Sequence, residues 1–327
     1  MALLLVTLII VAGCKKKSEV PSVIVTIPII VTGNFSNLLL NTVDFTGNVT
    51  TDGGSTVTKR GFAWSNTNQN PTLDNDTLVS GNGTGSFYST IKGLKGQTKY
   101  YIRAYATNQI GTGYGNTLNV QTIDTTMTDF DNNRYHIVQV GNQVWMAENL
   151  KVTHYRNGDI IPEISDGTQW SNLTTGAYCW FNNDQNTYKT LYGALYNWFA
   201  VSDARNISPA GWHIPSDAEW TILTTYLGGE SEAGGKMKSV GTIEAGSGLW
   251  FSPNSSATNE TGFSALPGGD RWHDGTIHDL GYYGYWWSAT EYDLLDAWPR
   301  SLDSVNGWIS RVNSYKTSGF SIRCLRD

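Results

Sequence analysis

Residues 211–220 read GWHIPSDAEW, and the second half of that stretch starts a helix. In Ser216-Asp217-Ala218-Glu219 the serine hydroxyl can accept from the amide three residues on, while the glutamate reaches back to the serine amide. Trp220, Leu223 and Leu227 then fall on one face at helical spacing, and Gly228-Gly229 stops the helix. Glu219 is occupied by the cap, which accounts for it without a catalytic role. Upstream, Leu191, Leu195 and Trp198, flanked by Tyr192 and Phe199, predict a further helix from Leu191 to about Ser202. Tyr135 to Val140 and Gln143 to Met146 lie either side of Gly141-Asn142 and predict a hairpin. Beyond Lys238 loops dominate, until aromatic strands over 282–292, 298–305 and 308–315 and a last strand over 320–326. Strands, two helices, long loops and closing strands make an α+β domain whose ends come close together.

Twelve of the 13 Trp follow residue 124, so a domain boundary belongs in the linker over 122–128. Residues 27–123 are built differently, from short alternating stretches separated by turn clusters such as DGG at 52–54 and GNGTG at 81–85. Val43, Phe45 and Gly47 alternate with polar neighbours, as do Phe62 and Trp64, and Tyr100, Ile102, Ala104 and Ala106 form one face of a later strand. About seven such strands make an all-β immunoglobulin/fibronectin-like sandwich, with Trp64 in its core.

At the other end of the chain, Ala2 to Gly13 is an apolar run too short to span a bilayer, and VAGC at 11–14 closes it. That tetrapeptide resembles the lipobox of bacterial lipoproteins, which implies a signal peptide over 1–13, lipidation at Cys14, and a tether over 14–26. The partner at this end is then a membrane, reached through acyl chains. The protein is expected to be extracytoplasmic and lipid-anchored, with the outer membrane favoured. No acidic run follows Cys14, so the membrane face stays open. A net charge of −6, with three of the lysines confined to Lys15, Lys16 and Lys17, excludes nucleic acid as a partner.

Five motifs in the second half, NQVWMAENL (142–150), LYGALYNW (191–198), GWHIPSDAEW (211–220), WWS (286–288) and GFSIRCLR (319–326), resemble the Fibrobacter succinogenes major paralogous domain. They span nearly all of the module over 124–327. The element order is also similar to the C-type lectin and sulfatase-modifying families, which implies a C-type-lectin-like α+β domain after the sandwich. LKGQTKYYIRAYATN (94–108) resembles the fibronectin type III signature, with Tyr100 as its corner tyrosine.

The chemistry these resemblances could imply is mostly excluded by the residues present. A sulfatase-modifying oxidase depends on a close cysteine pair near its C-terminus, and only Cys324 is there. The calcium triplets of mannose-type lectins are missing, and WFNND at 180–184 has the wrong spacing. The Asp129 to Asn133 cluster offers too few oxygens for a calcium loop and reads as a solvated turn. His273 and His278, with Asp270 and Asp274, are five apart on a loop and read as solvated side chains, so no metal and no cofactor are expected. Cys179 and Cys324 are the thiols left after Cys14, and an oxidising envelope makes them a candidate disulfide, with two separate buried thiols as the alternative. Members of the resembled family often carry Cys where this chain has Ser208, which opens a second pairing.

What remains is recognition. Tyr282, Tyr283, Tyr285, Trp298, Trp308 and Tyr315, with Asp303, Asn306 and Asn313 between them, offer flat rings and polar groups suited to a glycan or a surface protein. The expectation is a non-enzymatic binding or adhesion module. The alternatives are an enzyme acting on envelope glycans, which needs two carboxylates in a cleft, or a purely structural envelope component.

Overall fold

The computed structural model describes residues 24–327, so Cys14, the 1–13 leader and most of the 14–26 tether lie outside the described residues. Two compact units divide the described chain: residues 24–38, 42–93 and 99–121 form the first, and 39–41, 94–98 and 122–327 the second. Among the described residues no helix is long and apolar enough to cross a membrane.

The first unit holds eight strands: β1 Ile29–Ser36, β2 Thr42–Thr51, β3 Lys59–Ser65, β4 Asp76–Val79, β5 Gly85–Lys92, β6 Lys99–Thr107, β7 Thr112–Tyr114 and β8 Leu118–Gln121. One sheet has the order β1-β2-β5 and the other β4-β3-β6-β7, with β8 also on β6. This is an immunoglobulin- and fibronectin-like division of strands. Alternation puts Val43, Phe45 and Val49 of β2 and Ile102 and Ala104 of β6 inside. The Phe45, Phe62 and Phe87 rings pack in series at 5.9 and 5.2 Å. Tyr100 is buried as well. Trp64 is only half-buried near the end of β3, which corrects its assignment to the core; Phe62, two residues earlier, is fully enclosed instead.

The second unit opens with β9 Thr126–Thr128, β10 Arg134–Val140 and β11 Gln143–Met146, the last two forming the expected hairpin with Val140 opposite Gln143. Next come α1 Gly167–Ser171, β12 Tyr178–Cys179, α2 Gln185–Tyr192, β13 Leu195–Tyr196, α3 Trp198–Val201, β14 Trp212–His213, α4 Asp217–Tyr226 and α5 Glu230–Met237. The chain closes with β15 Gly268–Arg271, β16 Ile277–Leu280, β17 Tyr283–Glu291, β18 Asp296–Asp303, β19 Ser310–Arg311, β20 Ser314–Tyr315 and β21 Leu325–Arg326. One sheet runs β14-β21-β11-β10-β9, so the last strand pairs with the first hairpin through Leu325 and Trp145. The other runs β16-β15-β17-β18-β19, with β20 also on β18. The regular structure of the described residues is mostly β.

The α4 helix carries the reciprocal Ser216–Glu219 cap and buries Trp220, Leu223 and Leu227, as the sequence requires. The helix expected over 191–202 is not continuous. Gly193, at φ 74°, ends α2, and a Cβ there would lie 2.7 Å from the Leu150 carbonyl oxygen. Leu195 and Tyr196 then pair with β12, and Asn197 caps the single turn of α3. Helix α5 carries no strong periodicity because Gly234 sits on its packed face, where a Cβ would meet the Trp308 carbonyl oxygen at 2.3 Å.

Polar groups inside this unit are tied with few exceptions, and the motif residues do much of the tying. Asn149 donates to the Tyr192 carbonyl (2.8 Å) and Ser321 Oγ (3.0 Å), and its Oδ1 accepts from Trp286 Nε1 and Arg323 Nε (both 2.9 Å). Arg271, buried against the Trp170 ring, donates to the carbonyls of Ile164, Ser165 and Gly275. The Asp129 turn is an internal brace rather than a solvated loop: its carboxylate accepts from Tyr135 Oη (2.6 Å), Asn133 N (2.9 Å) and Asn133 Nδ2 (2.8 Å). The expected Cys179–Cys324 disulfide is absent. Both thiols are free and lie in separate apolar clusters, Cys179 with Trp170 and Leu195, Cys324 with Tyr196 and Trp287. Burial pushes the Cys179 thiol up to about 11 and the Cys324 thiol higher still, so neither is a ready thiolate.

Candidate functional site

Strands β15 and β16 are joined by a tight turn in which Trp272 N donates to the Thr276 carbonyl (2.7 Å) and Gly275 N to the Trp272 carbonyl (2.9 Å). Asp274 braces it by accepting from Thr276 N (2.9 Å) and Oγ1 (2.5 Å). This turn sets Trp272 and His273 at the mouth of a cavity of about 430 Å³, with Asp270 of β15 deeper in the same wall. Tyr285 of β17, stacked on Phe320 at 4.9 Å, lines another part of the wall. Asp296, the first residue of β18, pairs with Tyr315 of β20 and brings in Asn313 and Ser314. His273 packs edge-on to Tyr315 at 4.4 Å.

Two carboxyl groups here are incompletely satisfied. Asp296 accepts from Asn313 Nδ2 through Oδ2 (2.5 Å), but its buried Oδ1 has no partner. Asp270 is 3% exposed and its Oδ1 is also without a partner. Burial, reinforced by the charges of Asp279 and Asp274, pushes the Asp270 carboxyl up to about 8, while the Trp272 indole acts more weakly in the opposite direction. At neutral pH Asp270 is therefore mostly a neutral acid, able to donate a hydrogen bond. Tyr285 donates to Asp279 Oδ2 at 3.3 Å, and burial and the adjacent carboxylates keep its hydroxyl protonated far above the usual range.

Keeping an acid in this place lowers stability. A carboxyl whose folded pKa is raised binds a proton on folding between about pH 4 and 8, so its contribution to stability falls as pH rises through that window. Asp270→Asn is expected to be more stable than the parent at pH 8, on the order of 2 kcal/mol or about 5 °C in melting temperature. The advantage should shrink toward pH 5. Equal melting curves for the two proteins at pH 8 would show that Asp270 is not strained.

The nine residues singled out in sequence are not one platform. Tyr285, Asn313 and Tyr315 line the cavity, and Tyr283 stacks on Tyr285 at 5.6 Å. Tyr282 instead stacks on Phe251 at 4.4 Å. Trp298 is covered by the Arg311 guanidinium at 3.6 Å and abuts Tyr292 at 4.7 Å. Asp303 and Asn306 close their own turn, with Asp303 Oδ1 accepting from Val305 N and Asn306 N, both at 2.8 Å. Trp308 is exposed beside α5, on another part of the module. Sequence reasoning missed Trp272 and Asp296 and set aside Asp270 and His273 as solvated side chains. Trp-His-Asp-Gly at a strand end, with Asp270 in front of it, was the available signal.

Other clusters are internally satisfied. His213 bridges Asp327 Oδ1 (2.7 Å) and Glu219 Oε1 (3.0 Å), fastening the C-terminal residue to the cap of α4. His278 Nε2 lies 2.8 Å from Thr276 Oγ1 rather than converging with His273. Among the described residues no group of three or more His, Cys, Asp or Glu side chains is placed to hold a metal ion.

A family model described as the Fibrobacter succinogenes major domain matches residues 138–326. No curated protein matches. Solved structures similar to part of the chain include the sensor domain of the anti-sigma factor RsgI4 in Pseudobacteroides cellulosolvens (14% identity, TM-score 0.24, covering 31% of this chain and 98% of that one). Another is the sixth fibronectin type III domain of human fibronectin type III domain containing protein 3 (19% identity, TM-score 0.22, covering 32% and 87%).

Proposed function

We propose, for a chain that belongs to the Fibrobacter succinogenes major domain family through residues 138–326, that its second unit binds a glycan in the Asp270–Asp296 groove without chemically changing it. The observation that carries this reading is the groove itself: its volume is in the small-ligand range of about 300–1,000 Å³, and aromatic faces flank unpartnered carboxyl oxygens. Sugar rings present an apolar face for Trp272 and Tyr315 and hydroxyls for Asp270, Asp296 and Asn313. The lipobox-like residues 11–14 support anchoring through Cys14 to a bacterial membrane, the outer membrane favoured, with the sandwich as the spacer that lies between anchor and second unit in chain order. A C-type-lectin-like ancestry for the second unit is part of the same reading.

The test is a glycan array followed by titration calorimetry. Trp272→Ala with Tyr315→Ala is expected to weaken binding roughly 30-fold, from about 2 kcal/mol of lost ring contact. Trp308→Ala, on another part of the module, should bind as the parent does. Loss in the Trp308 variant alone would move the site away from the groove.

A hydrolytic reading is favoured by one observation, two carboxyl groups in the same cavity, which is the constellation glycosidases use. Release of reducing ends from a bound oligosaccharide, abolished in Asp270→Asn and in Asp296→Asn, would replace binding with hydrolysis.

A further inference from the structure

Burial and the nearby charges of Asp279 and Asp274 disfavour the charged form of the Asp270 carboxyl, and the Trp272 side chain opposes them more weakly. On its own strand Arg271 turns its guanidinium away, to the carbonyls of Ile164, Ser165 and Gly275. The adjoining turn presents His273 and Asp274, β16 presents His278 and Asp279, β17 presents Tyr285, β18 presents Asp296, and β20 presents Tyr315. Among the described residues no lysine or arginine lines the groove. Lys316, next to Tyr315, is directed to Glu291 and to the Leu294 carbonyl instead. An anionic ligand would therefore meet several acidic groups and no fixed cation, whereas a buried acid with one unpartnered oxygen is suited to an uncharged oxygen-rich ligand.

We propose that Asp270 enters the complex as a neutral carboxylic acid that donates a hydrogen bond to a hydroxyl or ether oxygen of an uncharged saccharide. The groove then selects neutral sugars over uronates and releases its ligand as the solution becomes alkaline. This rests on the groove being the binding site. Deprotonation removes the donor, adds a charge to a ligand contact, and leaves the sugar oxygen facing a carboxylate. Because Asp270 titrates near pH 8, about a tenth of the molecules keep the proton at pH 9, and the apparent affinity falls in proportion.

The experiment titrates the protein with gluco-, manno-, xylo- and galacto-tetraoses and with a tetragalacturonate, at pH 7 and pH 9. Circular dichroism at both values establishes that the fold persists. Expected are saturable binding of a neutral tetraose that weakens about tenfold at pH 9, and uronate binding at least tenfold weaker at pH 7. Asp270→Asn, whose amide donates at both pH values, should show the same affinity at pH 9 as at pH 7, whatever that affinity is relative to the parent. Asp296→Asn should keep the slope. Lys238, pushed down to about 8 by burial beneath the carbonyls of Asp303 and Asn306, titrates in the same interval. It is unchanged in Asp270→Asn, so flattening in that variant assigns the slope to Asp270. An affinity that is flat from pH 7 to 9 in the parent, or a uronate bound as tightly as its neutral counterpart, overturns the proton-donor assignment and leaves the groove reading standing. Absence of saturable binding by every member overturns both.

Discussion

Arg323→Met is expected to destabilise the second unit by about 4 kcal/mol. The guanidinium is fully buried, and Glu148 acts on it only through its charge: it donates to Asn149 Oδ1 at 2.9 Å, to the Ser264 carbonyl at 2.8 Å and to the Phe263 carbonyl, with its Cζ over the Phe263 ring at 4.3 Å. Methionine fills much of the volume but leaves the buried Phe263 carbonyl and the part-buried Ser264 carbonyl with no donor from this side chain, and Asn149 Oδ1 with Trp286. Unmet acceptors away from water cost about 1–3 kcal/mol each, partly recovered if the segment relaxes. Arg323→Lys should lie in between, since a single ammonium cannot reproduce a three-point planar fork. Guanidinium denaturation followed by tryptophan fluorescence is the appropriate measurement, because twelve of the 13 tryptophans belong to this unit. A loss below about 1 kcal/mol for Arg323→Met would show that water reaches the freed carbonyls.

Asp217→Ala is expected to cost about 3 kcal/mol in the same assay. Asp217 opens α4 and accepts from Arg300 Nη1 at 2.7 Å and from Arg311 Nε and Nη2, both at 2.9 Å. The Arg300 side chain is 3% exposed, so truncating its carboxylate partner leaves a buried charge held by the Asp217 and Pro299 carbonyls and Thr221 Oγ1, with Glu230 acting through its charge. Burial works to raise the Asp217 carboxyl, but the hydrogen bonds from Arg311 and Arg300 outweigh it and hold the pKa below the usual value. A carboxyl depressed in the folded state stabilises above its unfolded pKa of about 4 and loses that contribution as pH falls through the folded value. The difference between parent and variant should accordingly be full at pH 7 and shrink below pH 4. An undiminished difference at pH 2.5 would assign the effect to helix capping or packing instead of the ion pairs.

Both residues come from sequence motifs that could have been read as functional. Arg323 lies in GFSIRCLR and Asp217 in GWHIPSDAEW, yet each satisfies buried groups of its own unit. The candidate site lies mostly between the motifs, in the β15–β16 turn and around β20, on the loop-rich and irregular stretches where no periodic signal exists.

What the sequence determined by itself was local. The hairpin at Gly141-Asn142, the cap of α4 and the alternating strands of the sandwich depend on contacts within a few residues, so spacing and residue type are enough. The same rule misled over 191–202, where Leu191, Leu195 and Trp198 have helical spacing but Leu191 is exposed and Leu195 belongs to a strand. Tyr285, Asn313 and Tyr315 were legible as residue types that bind ligands, but their meeting was not. Only the pairing of β18 with both β17 and β20 puts Asp296 beside Asn313 and across a cavity wall from Tyr285. Tertiary structure alone separated Cys179 from Cys324 and turned the Asp129 loop into an internal brace. It alone made Asp270 an acid that keeps its proton near neutrality, because desolvation and the repulsion of Asp279 and Asp274 depend on which groups the fold encloses together and not on their order in the chain.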